Sequence, residues 1–464
     1  MDLHSRRNFL KRAGLTGLAL TAGPTLLAAC GSESTGSAAS KGAPLTLPTA
    51  GSKSPLEMRI WGAYPDFVQA NVNAFQQAYG TKVNMNVIGG DYPSILQNLL
   101  QQKQTVDMAY SLTHVLAAWQ KAGWVADFDR FWARADAEKE MIPAVRDAAT
   151  VNGHLMGLPY FAFVHGMMLA NTEVLQKAGL EGQYPKTYTE LYDQARKIKQ
   201  SGASDTPYLP FWITSFAGIP WGFVQEALNR NIPLFADNGT PQFDEKSEAV
   251  EMLQQWRALY TEGLVPKGIL TFQESDFAET YAKGGIAYAS HLQFYLPSLH
   301  DKNSSSVAGK IVPIPRQGQN WGMLHVGLYV VGAPGKDDER LAQDYRLAQY
   351  FGYKDPKTNQ FDVPLKWARE KYLTQGYSAV NDDPSVIEAA SKWLPEPDKN
   401  LPILKDSLEN AQYPKGLFHQ LWALRWLTYA AQELPKAVTG DATPATVVKN
   451  LRTKAEELME QFKP

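Results

Sequence analysis

Leu56, Met58 and Ile60 alternate with Glu57, Arg59 and Trp61, the period-two pattern of a half-buried strand. Apolar positions then fall at Val68, Val72, Phe75 and Tyr79, the spacing of one helix face, and Gly80 ends the run. Val83, Met85 and Val87 alternate with Asn84 and Asn86 as a second strand. Ile95, Leu96, Leu99 and Leu100 mark a second helix, and Val106 to Tyr110 a third strand. This alternation predicts a parallel sheet with helices on its faces. Further along, Thr187 with Glu190 three residues later forms a capping box that opens a helix through Leu191, Ala195 and Ile198. Asp237-Asn238-Gly239 between Phe235 and Phe243 predicts a hairpin turn. A helix is expected from Lys246 through Val250, Leu253, Trp256 and Tyr260, with Gly263 at its C′ position. Thr443-Pro444 caps a last helix through Val448, Leu451, Ala455, Leu458 and Phe462.

The first 55 residues stand outside this pattern. Ser5-Arg6-Arg7-Asn8-Phe9-Leu10-Lys11 has the form of a twin-arginine export signal. Ala13 to Ala28 is apolar but broken by Gly14, Gly17, Gly23 and Pro24, and a membrane span needs about 20 apolar residues. Leu27-Ala28-Ala29-Cys30-Gly31 looks like a lipobox, in which the Cys30 thiol is acylated and residues 1–29 are removed. That loss takes away four basic side chains and one acidic one, moving the formal charge from −2 to −5. A mildly acidic chain with interspersed charges has no reason to hold nucleic acid. Cys30 is the only cysteine, so neither an intramolecular disulfide nor a thiolate metal cage is available. Residues 30–55, rich in Gly, Ser, Thr, Ala and Pro, read as a disordered tether.

Catalytic signatures are missing. There is no G-x-S-x-G elbow, Walker loop, G-x-G-x-x-G or H-E-x-x-H. The eight histidines lie far apart with no i,i+4 pair, so a metal site would need the fold to gather them. Asp and Glu are plentiful, which leaves a glycosidase pair open, but nothing singles out two of them. Haem attachment and iron–sulfur clusters need cysteines that the chain lacks. The expectation is therefore a protein without catalytic residues, cofactor or resident metal.

From Met58 onward the chain resembles the family 1 extracellular solute-binding proteins, the maltose-binding-protein-like receptors of ABC importers. The matching pieces come in the family's order. Phe75 to Tyr79 and Val83 to Val87 are followed by Gly153-His154-Leu155-Met156-Gly157-Leu158-Pro159-Tyr160. Then come Ala170-Asn171-Thr172, Leu175 to Leu180, and Pro185-Lys186-Thr187-Tyr188-Thr189-Glu190-Leu191. Phe277 with Gly284 to Tyr288, where Gly285 replaces the family's lysine, and Val438 to Val448 complete the series. The resemblance implies a two-lobed α/β fold of the periplasmic-binding-protein type 2. Its lobes are discontinuous, residues 56–162 with 316–378 and residues 163–315 with 379–464. The crossings fall near Pro159 to Val164, Pro313 to Arg316 and Gly376 to Asp383. It also implies a lipid-anchored monomer outside the cytoplasmic membrane, at its outer face or in the periplasm, that closes on solute and docks on a permease. A polyamine or glycerophosphodiester receptor and a twin-arginine-exported glycosidase or cofactor enzyme are the rival readings.

A sugar presents apolar C–H faces and a rim of hydroxyls, so its site needs aromatic walls and polar groups aimed at the rim. Such residues follow several expected strands. Trp61, Tyr64 and Asp66 follow the first, Asp91 and Tyr92 the second, Tyr110 and His114 the third. Trp212 and Trp221 lie in a Pro/Gly-rich loop, His291 and Phe294 follow Tyr288, and Trp321 and His325 flank Gly322. Trp119, Trp124, Trp256, Trp393, Trp422 and Trp426 sit on helical patterns or beside them and are expected in the core. Replacing Cys30 by Ala is expected to abolish incorporation of a labelled fatty acid and release the protein from membranes. A variant that still carries acyl chains would refute the lipobox reading.

Overall fold

The computed structural model describes residues 42–463 apart from Asp91, Leu292 and Gly318, so the export signal and Cys30 lie outside the described residues. The chain opens with β1 (Leu56–Trp61), α1 (Pro65–Tyr79), β2 (Val83–Ile88), α2 (Tyr92–Gln101) and β3 (Met108–Leu112). β1 pairs in parallel with β2, from Leu56 beside Val83 to Trp61 beside Ile88, and in parallel with β3 on its other edge. The alternation read from the sequence thus produces the expected βαβαβ unit. Val68, Val72, Phe75 and Tyr79 are the buried stripe of α1. Gly80 closes that helix at φ 61°, a left-handed conformation that glycine adopts without steric cost.

Short strands β4 (Val125–Ala126), β5 (Thr150–Val151) and β6 (His154–Leu155) lead to β7 (Leu158–His165), which is buried along its whole length. β8 (Met167–Asn171), α3 (Tyr188–Gln200), β9 (Tyr208–Leu209), α4 (Ile219–Asn229), α5 (Glu248–Thr261) and α6 (Glu274–Ala282) follow. β10 (Tyr288–His291) and β11 (Ile311–Pro313) complete a second sheet, ordered β11-β8-β10-β9. The chain then returns through β12 (Met323–Gly332) to the first sheet, ordered β2-β1-β3-β12-β4 with β7 also on β12. β12 runs antiparallel to β3, β4 and β7, placing Gly327 opposite Leu112 of β3 and Met323 opposite His165 of β7. Helices α7 (Asp338–Gly352) and α8 (Asp362–Lys371) pack on this first lobe; α9 (Lys415–Phe418), α10 (Ala423–Thr439) and α11 (Pro444–Gln461) belong with α4 and α5 to the second.

The expected helix starts hold in detail. The Thr187 side chain accepts from the Glu190 amide at 3.2 Å, and Glu190 reaches the Lys186 amide at 2.7 Å. Thr443 accepts from the Thr446 amide at 3.1 Å with Pro444 in the first turn. Asp237 to Gly239 forms a turn, but only one isolated bridge, Phe235 with Pro241, follows from it. Residues 42–55, expected within the tether, lie instead along the first lobe. Leu45 is buried and its amide donates to the Arg130 carbonyl at 2.7 Å, while Arg346 and Gln343 donate to the Pro48 and Ala50 carbonyls. One apolar anchor and a few guanidinium and amide donors suffice to order a segment of such composition. Among the described residues no helix is long and apolar enough to cross a membrane.

The start of α7 is pinned by a buried knot of charge. The fully buried Asp107 carboxylate accepts from the Glu57 amide at 2.6 Å, meets Lys336 at 3.1 Å and pairs with Arg340. Lys336 also reaches the buried Asp344 at 2.5 Å. Burial alone would raise the Asp107 pKa, but Arg340 and Lys336 outweigh it and hold it below the usual value. Removing one partner of such a knot leaves the others buried and unpaired, a loss of about 3–5 kcal/mol. Asp107→Ala is therefore expected to lower urea-unfolding stability by about that amount, and an unchanged midpoint would refute the assignment.

Candidate functional site

The carboxyl ends of β1 and β3 open toward the second lobe, where an open α/β sheet places its ligand. Trp61 ends β1, and its ring lies 5.3 Å from Tyr92, 4.9 Å from Tyr110 and 5.5 Å from Tyr160. Tyr64 holds φ 50° just before α1 and lies 6.1 Å from the Trp367 ring, with the Lys371 ammonium 4.9 Å from its own ring. His114 follows β3 in a single turn, Thr113–Val115. The β7–β12 register then fixes the middle of the site. Phe161, Phe163 and His165 share one face of β7, and His325 faces them from β12, 5.1, 4.8 and 6.1 Å away respectively.

Trp221 joins the two lobes at this point. It stands at the start of α4, and its ring lies 4.9 Å from His165, 4.7 Å from His325, 5.8 Å from His114 and 5.4 Å from Phe418 of α9. His114 from the first lobe also touches Phe216 and Phe418 of the second. Gly322 makes the close approach possible: at φ 97° it sits where a Cβ would overlap Val164 and the His165 carbonyl. Both ring nitrogens of His114 and His325, Nδ1 of His165 and the Trp221 indole N–H are shielded from solvent with no partner among the described residues. Buried polar groups are ordinarily paired, and each left without a partner costs about 1–3 kcal/mol. Burial lowers the His114 and His165 pKa values to about 4. It lowers that of His325 as well, helped by the other two rings. All three are neutral imidazoles at pH 7, each with one donor and one acceptor.

The remaining sequence candidates fall into three groups. Phe294 joins the site, 5.5 Å from Phe163 and 4.3 Å from Tyr295. Tyr92, Tyr110, His291 and Trp321 lie behind it. The Tyr92 hydroxyl shares its proton between the Arg59 and Tyr110 carbonyls at 3.1 and 3.0 Å, bracing the strand ends. Tyr110 stacks on Tyr160 at 4.3 Å, His291 is enclosed by Phe277, Tyr281 and Tyr295, and Trp321 packs 5.0 Å from Tyr188. Asp66 is exposed in the first turn of α1, and Asp91 lies outside the described residues. Trp212 is a correction. It is 2% exposed and packs 4.8 Å from Trp256 of α5, inside the second lobe, because the loop before α4 turns its face inward. Trp119, Trp256, Trp422 and Trp426 are buried as expected, while Trp124 and Trp393 are half-buried.

The residues that sequence reasoning passed over are Phe161, Phe163, His165, Phe216 and Phe418. Their signal was the period-two run Phe161, Phe163, His165, which reads equally as a buried strand. Among the described residues one group, Asp127, Asp129 and His154, comes close enough to share an ion, and Arg134 already pairs with Asp129 there.

The chain matches the family model of bacterial extracellular solute-binding proteins over residues 70–364. Among curated proteins, the sn-glycerol-3-phosphate-binding periplasmic protein UgpB of Agrobacterium fabrum is 33% identical over 86 residues, 17% of this chain and 19% of that relative. The match therefore spans about a fifth of the relative's length. Maltose-bound MalE3 of T. maritima superposes with TM-score 0.71 at 18% identity, covering 87% of this chain and 99% of that one. A solute-binding protein of an ABC transporter from Agrobacterium radiobacter K84, in complex with ribitol, gives 0.70 at 16% identity, covering 88% and 99%. The GacH receptor of Streptomyces glaucescens, solved unliganded and with acarbose, gives 0.69 at 16% identity, covering 90% and 100%. These likenesses fix the two-lobed architecture. Trp212→Ala is expected to cost about 3–5 kcal/mol in urea unfolding, as for a large core ring. Trp221→Ala, at a face between lobes, should cost clearly less; a small loss at Trp212 would return it to the site, and a core-sized loss at Trp221 would remove Trp221 from it.

Proposed function

This chain belongs to the bacterial extracellular solute-binding protein family, and from that premise we propose that it captures a sugar or sugar alcohol between its lobes for an ABC importer. One observation carries the reading. Where the lobes meet, aromatic faces of Phe161, Phe163, Phe216, Trp221 and Phe418 stand against the His114, His165 and His325 imidazoles, five of whose nitrogens, like the Trp221 indole N–H, have no partner among the described residues, and Trp61 and Phe294 extend this apolar wall from Phe161 and Phe163. Flat apolar walls suit sugar C–H faces, and neutral donors and acceptors suit hydroxyls. The similar structures named above carry maltose, ribitol and acarbose.

A phosphorylated solute is the second reading, favoured by the short match to the glycerol-3-phosphate-binding relative. A phosphate calls for Arg or Lys forks, and the groups acting on His165 and His325 are one another, His114, Gln225 and the Ala217 carbonyl. The neutral solute fits this lining better. Residues 56–162 with 316–378 and residues 163–315 with 379–464 serve as the two jaws. Cys30 serves as the lipid attachment that keeps the monomer at the outer face of the cytoplasmic membrane, within reach of its permease. Nothing in this arrangement calls for a catalytic step or a cofactor.

A thermal-shift screen against sugars, sugar alcohols and sn-glycerol 3-phosphate tests the reading. A true ligand at 100 times its dissociation constant adds about 2.7 kcal/mol. Trp221→Ala should weaken that ligand by one to two orders of magnitude, on the order of 1.5–3 kcal/mol. Stabilisation by the phosphate ester alone would overturn the sugar assignment, and steady glycosidic cleavage would overturn the receptor.

A further inference from the structure

Three of the eight histidines come together at one place, and it is the place where the lobes touch. His114 reaches it from the end of β3, His165 from the end of β7 and His325 from the start of β12. Trp221 of the second lobe stands among them, in ring contact with all three. Five of their ring nitrogens are buried without a partner among the described residues. We propose that His114, His165, His325 and Trp221 form a proton-operated clasp: with the rings neutral the lobes pack shut, and with the rings charged they separate.

A charged imidazole needs water or a carboxylate beside it. Among the described residues, the groups that act on His325 are His165 and His114, and those on His165 are Gln225 and the Ala217 carbonyl. His114 feels its burial alone. The charged groups on the elements packed here are engaged elsewhere or share the sign of a protonated ring. Glu226 of α4 is held by Arg230, Tyr192 and Trp256, and Glu274 of α6 by Tyr295; on the helices packed against β7, Asp406 of Pro397–Glu409 is held by Arg316, and Asp147 of Pro143–Ala149 by Arg146. Lys415 and the half-buried His419, whose pKa burial lowers to about 4, lie on and beside α9. Protons added to the closed cluster would thus create neighbouring like charges with no counter-ion.

Opening relieves this by hydrating the rings, which then titrate near their ordinary value of about 6.5. The direction follows from proton counting. Between about 6.5 and about 4 the open form binds more protons than the closed one, so closure is fully favoured above that window and is lost as pH falls through it. At pH 5 His114 and His165 each shift the balance toward opening by about 30-fold, and His325 shifts it in the same direction. The device depends on the geometry of the lobe contact and stands whatever solute the cleft takes.

Small-angle scattering on the chain from residue 42 onward, compared at pH 7.5 and 5.0, tests the clasp. The radius of gyration should rise in acid while helix content stays constant, and Trp221 emission should shift over the same range. A variant carrying His114→Gln, His165→Gln and His325→Gln should keep one radius at both pH values. Equal expansion of variant and parent, or no expansion of the parent, overturns the proposal. Should the triple variant fail to fold, ring-carbon magnetic resonance of the parent decides. Three imidazoles that stay neutral to about pH 5 and titrate together with the expansion sustain the clasp, whereas independent titration of all histidines near 6.5 overturns it.

Discussion

The pairing of β7 with β12 is the constraint on which the rest of this molecule depends. It joins residues 158–165 to residues 323–329, so everything between them is an excursion that must close back on the first sheet. That excursion is the second sheet with most of its helices. Because the pairing is antiparallel and register-bound, one slip would turn the Phe161–Phe163–His165 face away from the second lobe. Buried along its whole length, β7 also has no room for a polar detour. The jaw of the receptor is therefore hung on a ladder of backbone hydrogen bonds whose register no side chain can adjust.

Two solutions to the cost of buried polarity stand side by side on this frame. Around Asp107 the chain keeps charge and pairs it, with Lys336 and Arg340 arranged about two buried carboxylates. Around Trp221 it discards charge, and the same burial that threatens Asp107 strips protons from three histidines. The first arrangement ties the start of α7 to β1 and β3. The second leaves donors and acceptors without partners, which suits a surface that must meet something else. Rigidity within a lobe and an unfinished face between lobes are the physical requirements of hinge closure, since the movement is then confined to the crossings.

Much of the fold was legible because it rests on local rules. Period-two alternation marked β1 and β2, the Thr187 and Thr443 caps marked two helix starts, and Gly80 and Gly263 marked two helix ends. The candidate site was only partly legible. His114 was read from its position after a strand, Trp221 from a Pro/Gly-rich loop and His325 from its place beside Gly322, and their rings meet at one junction. Trp212 failed because a tryptophan in a Pro/Gly-rich loop carries no mark of which side of the loop it faces. His165 and Phe418 were missed because one ends a wholly buried strand and the other occupies a four-residue helix.

The sequence by itself carried the motifs that read as an export signal and a lipobox, the single cysteine, the α/β order of elements and, through ordered short motifs, the family. Each of these is written in neighbouring residues, within the reach of one helix turn, one strand or one signal. Only the tertiary structure decided which aromatic rings are core and which face the other lobe. It also decided that residues 114, 165 and 325, scattered along more than two hundred positions, share one indole. Burial is a property of the whole packing, and a side chain's protonation follows from its burial. No local pattern can state either until the sheet register has been set.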